Sequence, residues 1–597
     1  MNRVFRPFGA LAAVLPLIAG LSASPGSAQS PGDGYSGSRL GSYIAGRIAR
    51  GDNDTAAAVQ FYRDALKAAP DDASIIEAAF LVEATEGNAE RAIRLASELV
   101  REQPQHRLAR AWLGIAAYKA GKLGTADRHF NESAAGPIGE LTSALSRAWV
   151  AKRRGRTKLA LSHLKYSQRA EWAQYYLRYH RALIADLSGQ TTLAGQNFGR
   201  IFKSDARMPR ITIAYLHHAA AAGKFTLAQT ILEKNSEATS GALHPAVAAV
   251  ADEVRQRRRL PLLVSNTTAG LAEVYYGLGE ALTTEGGMQL GAIYLQMALF
   301  LKPDFDFALA ALANVYETNK QFERANAVYD RISPRSALQL LVKIRRANNL
   351  DSQERTDEGL AVLKDLIRDH PNDLRPLEAM ASMLRGRKRY EEAIKYYDDI
   401  IDMAGEPEPN HWTYWYARGT SYERIKDWPS AERDLLFANE LNPDQPLILN
   451  YLGYSWVDRN MRLKEGLEFI EKAVQLKPDD GYIVDSLGWA HFRLGNYPEA
   501  VEHLERAVEL RPSDPILNDH LGDALWRVGR IREARYQWEL SLTLDPEPEE
   551  ERKIREKLAK GLPPIGAIET AAPKKTKKDG ATLSKRVERF AAPKPLR

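Results

Sequence analysis

Along residues 481–512, GYIVDSLGWAHFRLGNYPEAVEHLERAVELRP, apolar and small positions recur at helical spacing. Val484, Leu487, Gly488 and His491 share one side of a first segment, and Ala500, Leu504 and Ala507 one side of a second. The spacing predicts two short helices in an antiparallel pair. Gly495 stands where the first must stop, because glycine takes the left-handed conformation of a helix C-cap without steric cost. Pro512 ends the second, since it lacks an N–H and clashes with the preceding turn. One such pair shows too small an apolar face to fold alone, so it requires neighbours of its own kind.

Those neighbours are present. Repeats begin at Arg39, Ala73, Arg107, Leu141, Tyr175 and Pro209, 34 residues apart. Ala58, Ala92, Ala126, Ala160, Ala194 and Ala228 fall at one position of the second helix, where the two helices cross closely. Repeats resume at Ala272, Asp306, Leu340 and Leu374. After a GEPEPN loop, Gly405 to Asn410, they continue near Trp412, Pro446, Gly481 and Pro515. The unit from Leu340 is degenerate, with Gly359 in place of the alanine. The shared order of Leu-Gly, Gly, Ala, a large apolar residue, Ala and Pro resembles the tetratricopeptide repeat, whose period is about 34 residues. The resemblance implies an all-α fold, a right-handed superhelical α-solenoid with its inner wall built from the first helix of each repeat.

The boundaries follow from breaks in the pattern. Arg3 and Arg6, the apolar run Phe8 to Ala23 and the small residues Gly26-Ser27-Ala28 read as a signal peptide over 1–28, cleaved before Gln29. An uncleaved anchor is the alternative, although the run is shorter than the ~20 residues a spanning helix needs. Residues 29–38 form a flexible Gly/Ser leader. Six repeats fill 39–242 and eight fill 272–548. Between them, 243–271 breaks the register. It reads either as an irregular repeat whose Arg255, Arg257, Arg258 and Arg259 favour a helix C-terminus, or as a hinge with a basic docking patch. Residues 549–561 suit a charged capping helix, and 562–597 a disordered basic tail.

Charge and chemistry narrow the function. The net charge of +6 resides at the ends: +2 in 1–28 and +6 in 562–597, leaving the body at −2. A near-neutral body argues against a nucleic-acid groove, which needs an excess of Lys and Arg. The absence of cysteine excludes disulfides, thiolate metal sites and cysteine nucleophiles. No HExxH or G-x-S-x-G is present, and Gly277-Leu278-Gly279 is the repeat signature without a preceding strand. His217-His218 point about 100° apart on a helix and make a poor chelate. His491 and His503 fall within one repeat but lack a third ligand. We therefore expect no enzyme activity, no cofactor and no metal.

Function should then lie in a surface. The resemblance places the second, fifth, ninth, twelfth and thirteenth residues of each repeat on the inner wall. These give Asn450, Tyr454 and Asp458, then Tyr482, Asp485, Trp489, Phe492 and Arg493, then Asp519, Asp523, Trp526 and Arg527. Aromatic rings offer apolar area at low entropy cost, and Asn can hydrogen-bond an extended backbone. Phe492 suits packing between repeats; Trp489 and Trp526 suit packing or a partner equally. The two-lysine, two-asparagine carboxylate clamp of chaperone-binding repeats is not matched. Asp485, Asp519 and Asp523 stand where that clamp is basic, which points to basic or aromatic-rich protein segments.

A narrower resemblance lies in Leu452-Gly453-Tyr454 with Asp458-Arg459, Lys477-Pro478-Asp479-Asp480, Asp485-Ser486-Leu487-Gly488-Trp489 and His520-Leu521-Gly522-Asp523-Ala524-Leu525-Trp526. This series is similar to the envelope lipoproteins that bind and activate carboxyl-terminal processing proteases and bring them cell-wall hydrolases. It implies a non-catalytic adaptor of the periplasm or outer cell envelope with a processing protease as partner. The lipoproteins carry a cysteine that this chain lacks, so envelope contact would be peripheral, through Lys574, Lys575, Lys577, Lys578, Lys585 and Arg586. The alternative expectation is a scaffold for secretion or assembly of surface polysaccharide, where similar repeats occur.

Overall fold

The computed structural model describes residues 38–165, 170–239, 241 and 243–563. The signal peptide, all of the leader but Ser38, and the lysines of the basic tail lie outside the described residues. Every regular element among the described residues is helical. The chain divides into two compact units between Gln339 and Leu340.

In the first unit, antiparallel hairpins follow one another: α1 (Arg39–Gly51) with α2 (Thr55–Ala68), α3 (Ala73–Thr85) with α4 (Ala89–Glu102), and α5 (Arg107–Lys119) with α6 (Leu123–Glu132). Next come α7 (Gly136–Arg153) with α8 (Thr157–His163), α9 (Glu171–Asp186) with α10 (Thr191–Ser204), and α11 (Pro209–Ala221) with α12 (Phe225–Ala238). α7 and α9 start at Gly136 and Glu171, ahead of Leu141 and Tyr175, and Pro137 suits the opening turn of α7. The crossing-point alanines Ala58, Ala92, Ala126, Ala160, Ala194 and Ala228 are all 0% exposed.

The unit then turns back on itself. α13 (Pro245–Arg255) packs on α11 and α12; Arg255 and Arg258 pair with Asp252 and Glu253 of that helix. A hairpin of α14 (Thr267–Thr284) and α15 (Met288–Leu301) follows, then α16 (Asp306–Thr318) and α17 (Phe322–Tyr329). α14 packs on α7 and α9, and α15 on α3 and α5, so the hairpin lies along the wall made by the first helices. Its sequence explains why. Gly291 to Leu299 of α15 are buried without a break, and a helix apolar all round must be enclosed. Sequence spacing sets the break between solenoid halves at 243–271; the compact units divide about seventy residues later because α14–α17 complete the first unit.

The second unit continues the hairpins: α18 (Gln339–Ser352) with α19 (Thr356–Asp369), α20 (Leu374–Gly386) with α21 (Tyr390–Ala404), and α22 (Trp412–Arg424) with α23 (Trp428–Leu441). Then come α24 (Pro446–Asp458) with α25 (Leu463–Leu476), α26 (Gly481–Leu494) with α27 (Tyr497–Leu510), and α28 (Pro515–Arg527) with α29 (Ile531–Thr543). A last helix, α30 (Pro548–Lys560), packs on α29. Gly495 closes α26 at φ +83°, the left-handed C-cap expected from its position.

Candidate functional site

The candidate residues of the second unit stand on three consecutive first helices. Local capping sets where each helix starts. The Asp480 carboxylate accepts the Tyr482 amide at the head of α26, and Asp514 accepts those of Ile516 and Leu517 at the head of α28. Depth is set by glycine. A Cβ at Gly522 would overlap the Trp538 indole, so only glycine lets α29 approach closely enough for Trp538 Nε1 to donate to Asp523 Oδ1 at 3.0 Å.

From α24, Asn450 and Tyr454 are half-buried and Asp458 is exposed. Arg493 of α26 donates to Asp458 Oδ1 at 3.1 Å, tying the two helices. The Tyr454 hydroxyl is held above the usual phenol range, first by burial and then by Asp458 and Asp485. On α26, Tyr482 is exposed, with the Arg511 guanidinium 4.3 Å above its ring. Trp489 is sandwiched, its ring 4.9 Å from Phe492 and 4.2 Å from His520. Phe492 in turn lies between Trp489 and Tyr497.

Asp485, Asp519 and Asp523 are each buried, at 5%, 6% and 4% exposure. Buried carboxylates need partners, and all three have them. His520 Nδ1 lies 3.0 Å from both Asp485 oxygens. Burial alone would lower the imidazole pKa, but Asp485, with help from Asp519 and Asp523, raises it. Lys557, reaching in from α30, donates to both oxygens of Asp519 at 2.9 and 2.8 Å and to Asp523 Oδ2 at 2.8 Å. Burial pushes the Asp523 carboxyl up to about 6, and Lys557 opposes that rise.

The wall at the last repeat is therefore covered. Beyond α30, Gly561 lies so close to the Trp526 ring that a Cβ there would overlap it. Arg527 donates to the Pro563 carbonyl at 2.8 Å, and Arg535 to that of Leu558 at 2.8 Å. Asp519, Asp523, Trp526 and Arg527, expected to face a partner, face the chain's own C-terminal segment. Tyr454 senses the charge of Glu550 on α30, while Tyr482 and Trp489 lie against Arg511, Phe492 and His520 instead.

Two members of the site, His520 and Lys557, escape sequence reasoning, although a signal exists. His520 follows Asp485 by 35 residues and Lys557 follows Asp523 by 34, close to one repeat length in each case. Elsewhere, His491 and His503 stack at 5.3 Å. His217 Nδ1 lies 2.8 Å from the Pro261 carbonyl and His218 Nδ1 2.8 Å from Asp186, so the two are held apart by separate partners.

Tetratricopeptide-repeat family models match residues 42–72, 78–137, 344–406 and 387–438, and a TPR-repeat model matches 488–529. A TPR repeat-containing protein of Pseudomonas aeruginosa is 29% identical over 203 residues, which is 33% of this chain and 32% of that protein. The match thus spans about a third of that relative's length. Among solved structures, yeast Tom70 aligns over 87% of this chain and 95% of its own at 12% identity and a TM-score of 0.34. A tetratricopeptide repeat protein from Parabacteroides merdae aligns over 48% of this chain and 97% of its own at 15% identity and a TM-score of 0.33. Tetratricopeptide repeats are thus matched within both compact units, over helical hairpins that recur about every 34 residues, and repeats of this kind point to a protein–protein interaction scaffold.

Proposed function

We propose that the protein is a non-catalytic adaptor exported to the bacterial envelope, where it holds a carboxyl-terminal processing protease, and the proteins that protease degrades, on the wall of α24, α26 and α28. The observation that carries the reading is the composition of that wall. Exposed and half-buried aromatics, Tyr454, Tyr482 and Trp489, border buried carboxylates held at fixed positions by neighbouring repeats. Protein interfaces concentrate aromatic anchors at their centres and deplete carboxylates there, and here the carboxylates are already paired within the chain. The similarity of residues 452–526 to protease-binding envelope lipoproteins supports the finer part. The signal-like N-terminus supports export, with cleavage near Ala28 and the basic tail as the envelope contact.

The test is affinity capture of the tagged full chain from periplasmic extract, followed by mass spectrometry, for the wild type and for Tyr454→Ala with Trp489→Ala. We expect a processing protease in the wild-type eluate and at least a tenfold loss in the double variant at unchanged helicity. Polysaccharide-export components in its place would overturn the protease reading in favour of a secretion scaffold. Equal capture by both chains would overturn the groove.

A further inference from the structure

The seat between Asp519 and Asp523 is a built cation site that the chain fills itself, with the ammonium of Lys557 on α30. The helix that delivers it is otherwise lightly held. Of its thirteen residues only Ile554 is buried. Its remaining charges pair mostly within the helix: Lys553 with Glu549 and Glu550, Arg555 with Glu551, and Lys560 with Glu556. Those pairs travel with the helix and are not lost if it leaves. What departure does cost is the Lys557 seat, the Ile554 contact, the bonds from Arg527 and Arg535, the Trp526 contact of Gly561 and the exposed pair Lys388–Glu547.

Vacating the seat breaks the three hydrogen bonds of Lys557 and leaves two adjacent carboxylates without their shared cation, like charges that disfavour each other's ionised form. The helix therefore stays until another cation replaces Lys557. Charge complementarity then selects the occupant. We propose, building on the adaptor reading above, that α30 is an intramolecular placeholder for a basic amphipathic helix of the partner, which inserts a Lys or Arg between Asp519 and Asp523 and an apolar residue three positions earlier in the place of Ile554. Tethering holds α30 at an effective concentration on the order of millimolar. Weak basic segments are thereby excluded, and only a partner with further contacts on the Tyr454–Trp489 stretch of the wall displaces it.

The experiment uses the full chain and a fluorescent synthetic peptide of residues 546–563, with and without Lys557→Ala in the peptide, read by anisotropy. We expect the protein carrying Lys557→Ala to bind the lysine peptide at least tenfold more tightly than wild type does, and the alanine peptide not to bind. Lys557→Arg protein, which keeps the cation, should exclude the peptide as wild type does. Hydrogen exchange across α30 should rise in Lys557→Ala while that of α24–α29 stays unchanged, which separates release of the helix from unfolding. Equal binding of the two peptides, or no gain of binding in Lys557→Ala, would overturn the proposal. No envelope partner enters the assay, so its failure leaves the adaptor reading standing, and loss of partner capture leaves the seat standing.

Discussion

Each compact unit builds a wall of first helices, and each covers part of that wall with a later segment of its own chain. The covers differ in kind. In the first unit the α14–α15 hairpin is largely apolar and its buried polar groups are matched in the interior. Ser146 and Tyr275 share a hydrogen bond of 3.1 Å, Thr142 and Tyr294 another of 3.1 Å, and Gln296 donates to the Thr85 carbonyl at 3.1 Å. Glu273 is buried between Arg210 and the Tyr179 hydroxyl. In the second unit the cover is one charged helix with one buried apolar residue and one seated lysine. Satisfied polar groups inside an apolar core fix a single arrangement, because any displacement strands them all. A cover held by charge at one seat can be exchanged for another of like charge. On this contrast the first wall is part of the core and the second is open to exchange.

The largest test of this contrast is at Trp149. Its ring is 0% exposed, lies against Gly270 of α14 and donates through Nε1 to His180 Nδ1 at 3.1 Å. Trp149→Ala opens a cavity under the hairpin and leaves His180 without its donor. We expect a loss of about 3–5 kcal/mol, measured by urea unfolding, with the loss confined to the transition of the first unit. A loss below about 1 kcal/mol, at the low end for any core truncation, would mean that the hairpin is as loosely held as α30, and the distinction between the two covers would collapse.

Acid should separate the units next. Burial holds His180 neutral, with its pKa lowered to about 3. Once unfolded, the same imidazole binds a proton below about pH 6.5. The unfolded state thus takes up protons that the folded state refuses, and stability falls as pH drops from about 6.5 towards 3, by about 1.4 kcal/mol per unit. The second unit responds with the opposite sign. Burial outweighs Lys557 and holds the Asp523 carboxyl at about 6, above the ordinary carboxylate range, so the folded unit keeps a proton there that the unfolded chain releases, and stability rises as pH falls through about 6. His520, whose imidazole is raised by Asp485, binds its proton more readily folded than unfolded and acts in the same direction. Between pH 7.5 and 5, a window that spans that carboxyl and an ordinary imidazole at about 6.5, urea unfolding should show the transition of the second unit holding or gaining stability while that of the first loses it. Equal losses in both transitions would contradict the contrast.

Much of this was legible in the chain, and the remainder was hidden for identifiable reasons. The 34-residue spacing located first helices at Ala73, Leu374, Pro446, Gly481 and Pro515 to the residue, because each carries a capping aspartate or an opening proline that the packing does not override. At Ala272 it marked the hairpin of α14 and α15 but not its enclosure, because repeat periodicity is present there while α15 lacks a polar face. MQLGAIYLQMALFL carries no charge, and its two glutamines, Gln289 and Gln296, are bonded to Arg50 and to the Thr85 carbonyl. That missing face is the signal that α15 is packed around, and period alone does not report it. Position within the repeat likewise identified Asp485, Asp519 and Asp523 as inward, but not what neutralises them. Lys557 belongs to a segment whose composition reads as a solvated cap, and only its distance of one repeat from Asp523 marks it as a partner.

The smallest expected effect is the most discriminating about what holds α30. Lys388 of the α20–α21 turn lies 3.3 Å from Glu547, just ahead of α30, with side-chain exposures of 73% and 79%. Exposed pairs of this kind gain little, because water screens the charges and two long side chains lose freedom in meeting. Lys388→Ala should therefore leave both global unfolding and the exchange protection of α30 unchanged, whereas Lys557→Ala raises exchange in α30 alone. The two lysines bear the same charge, Lys388 facing the terminal segment from the α20–α21 turn and Lys557 standing within it, and of the two it is Lys557 that is seated among buried carboxylates. Equal effects from the two substitutions would mean that α30 is retained by the general field of the repeat body. The two-aspartate seat would then confer no selectivity, and nothing in the second wall would favour a basic helix over any other occupant.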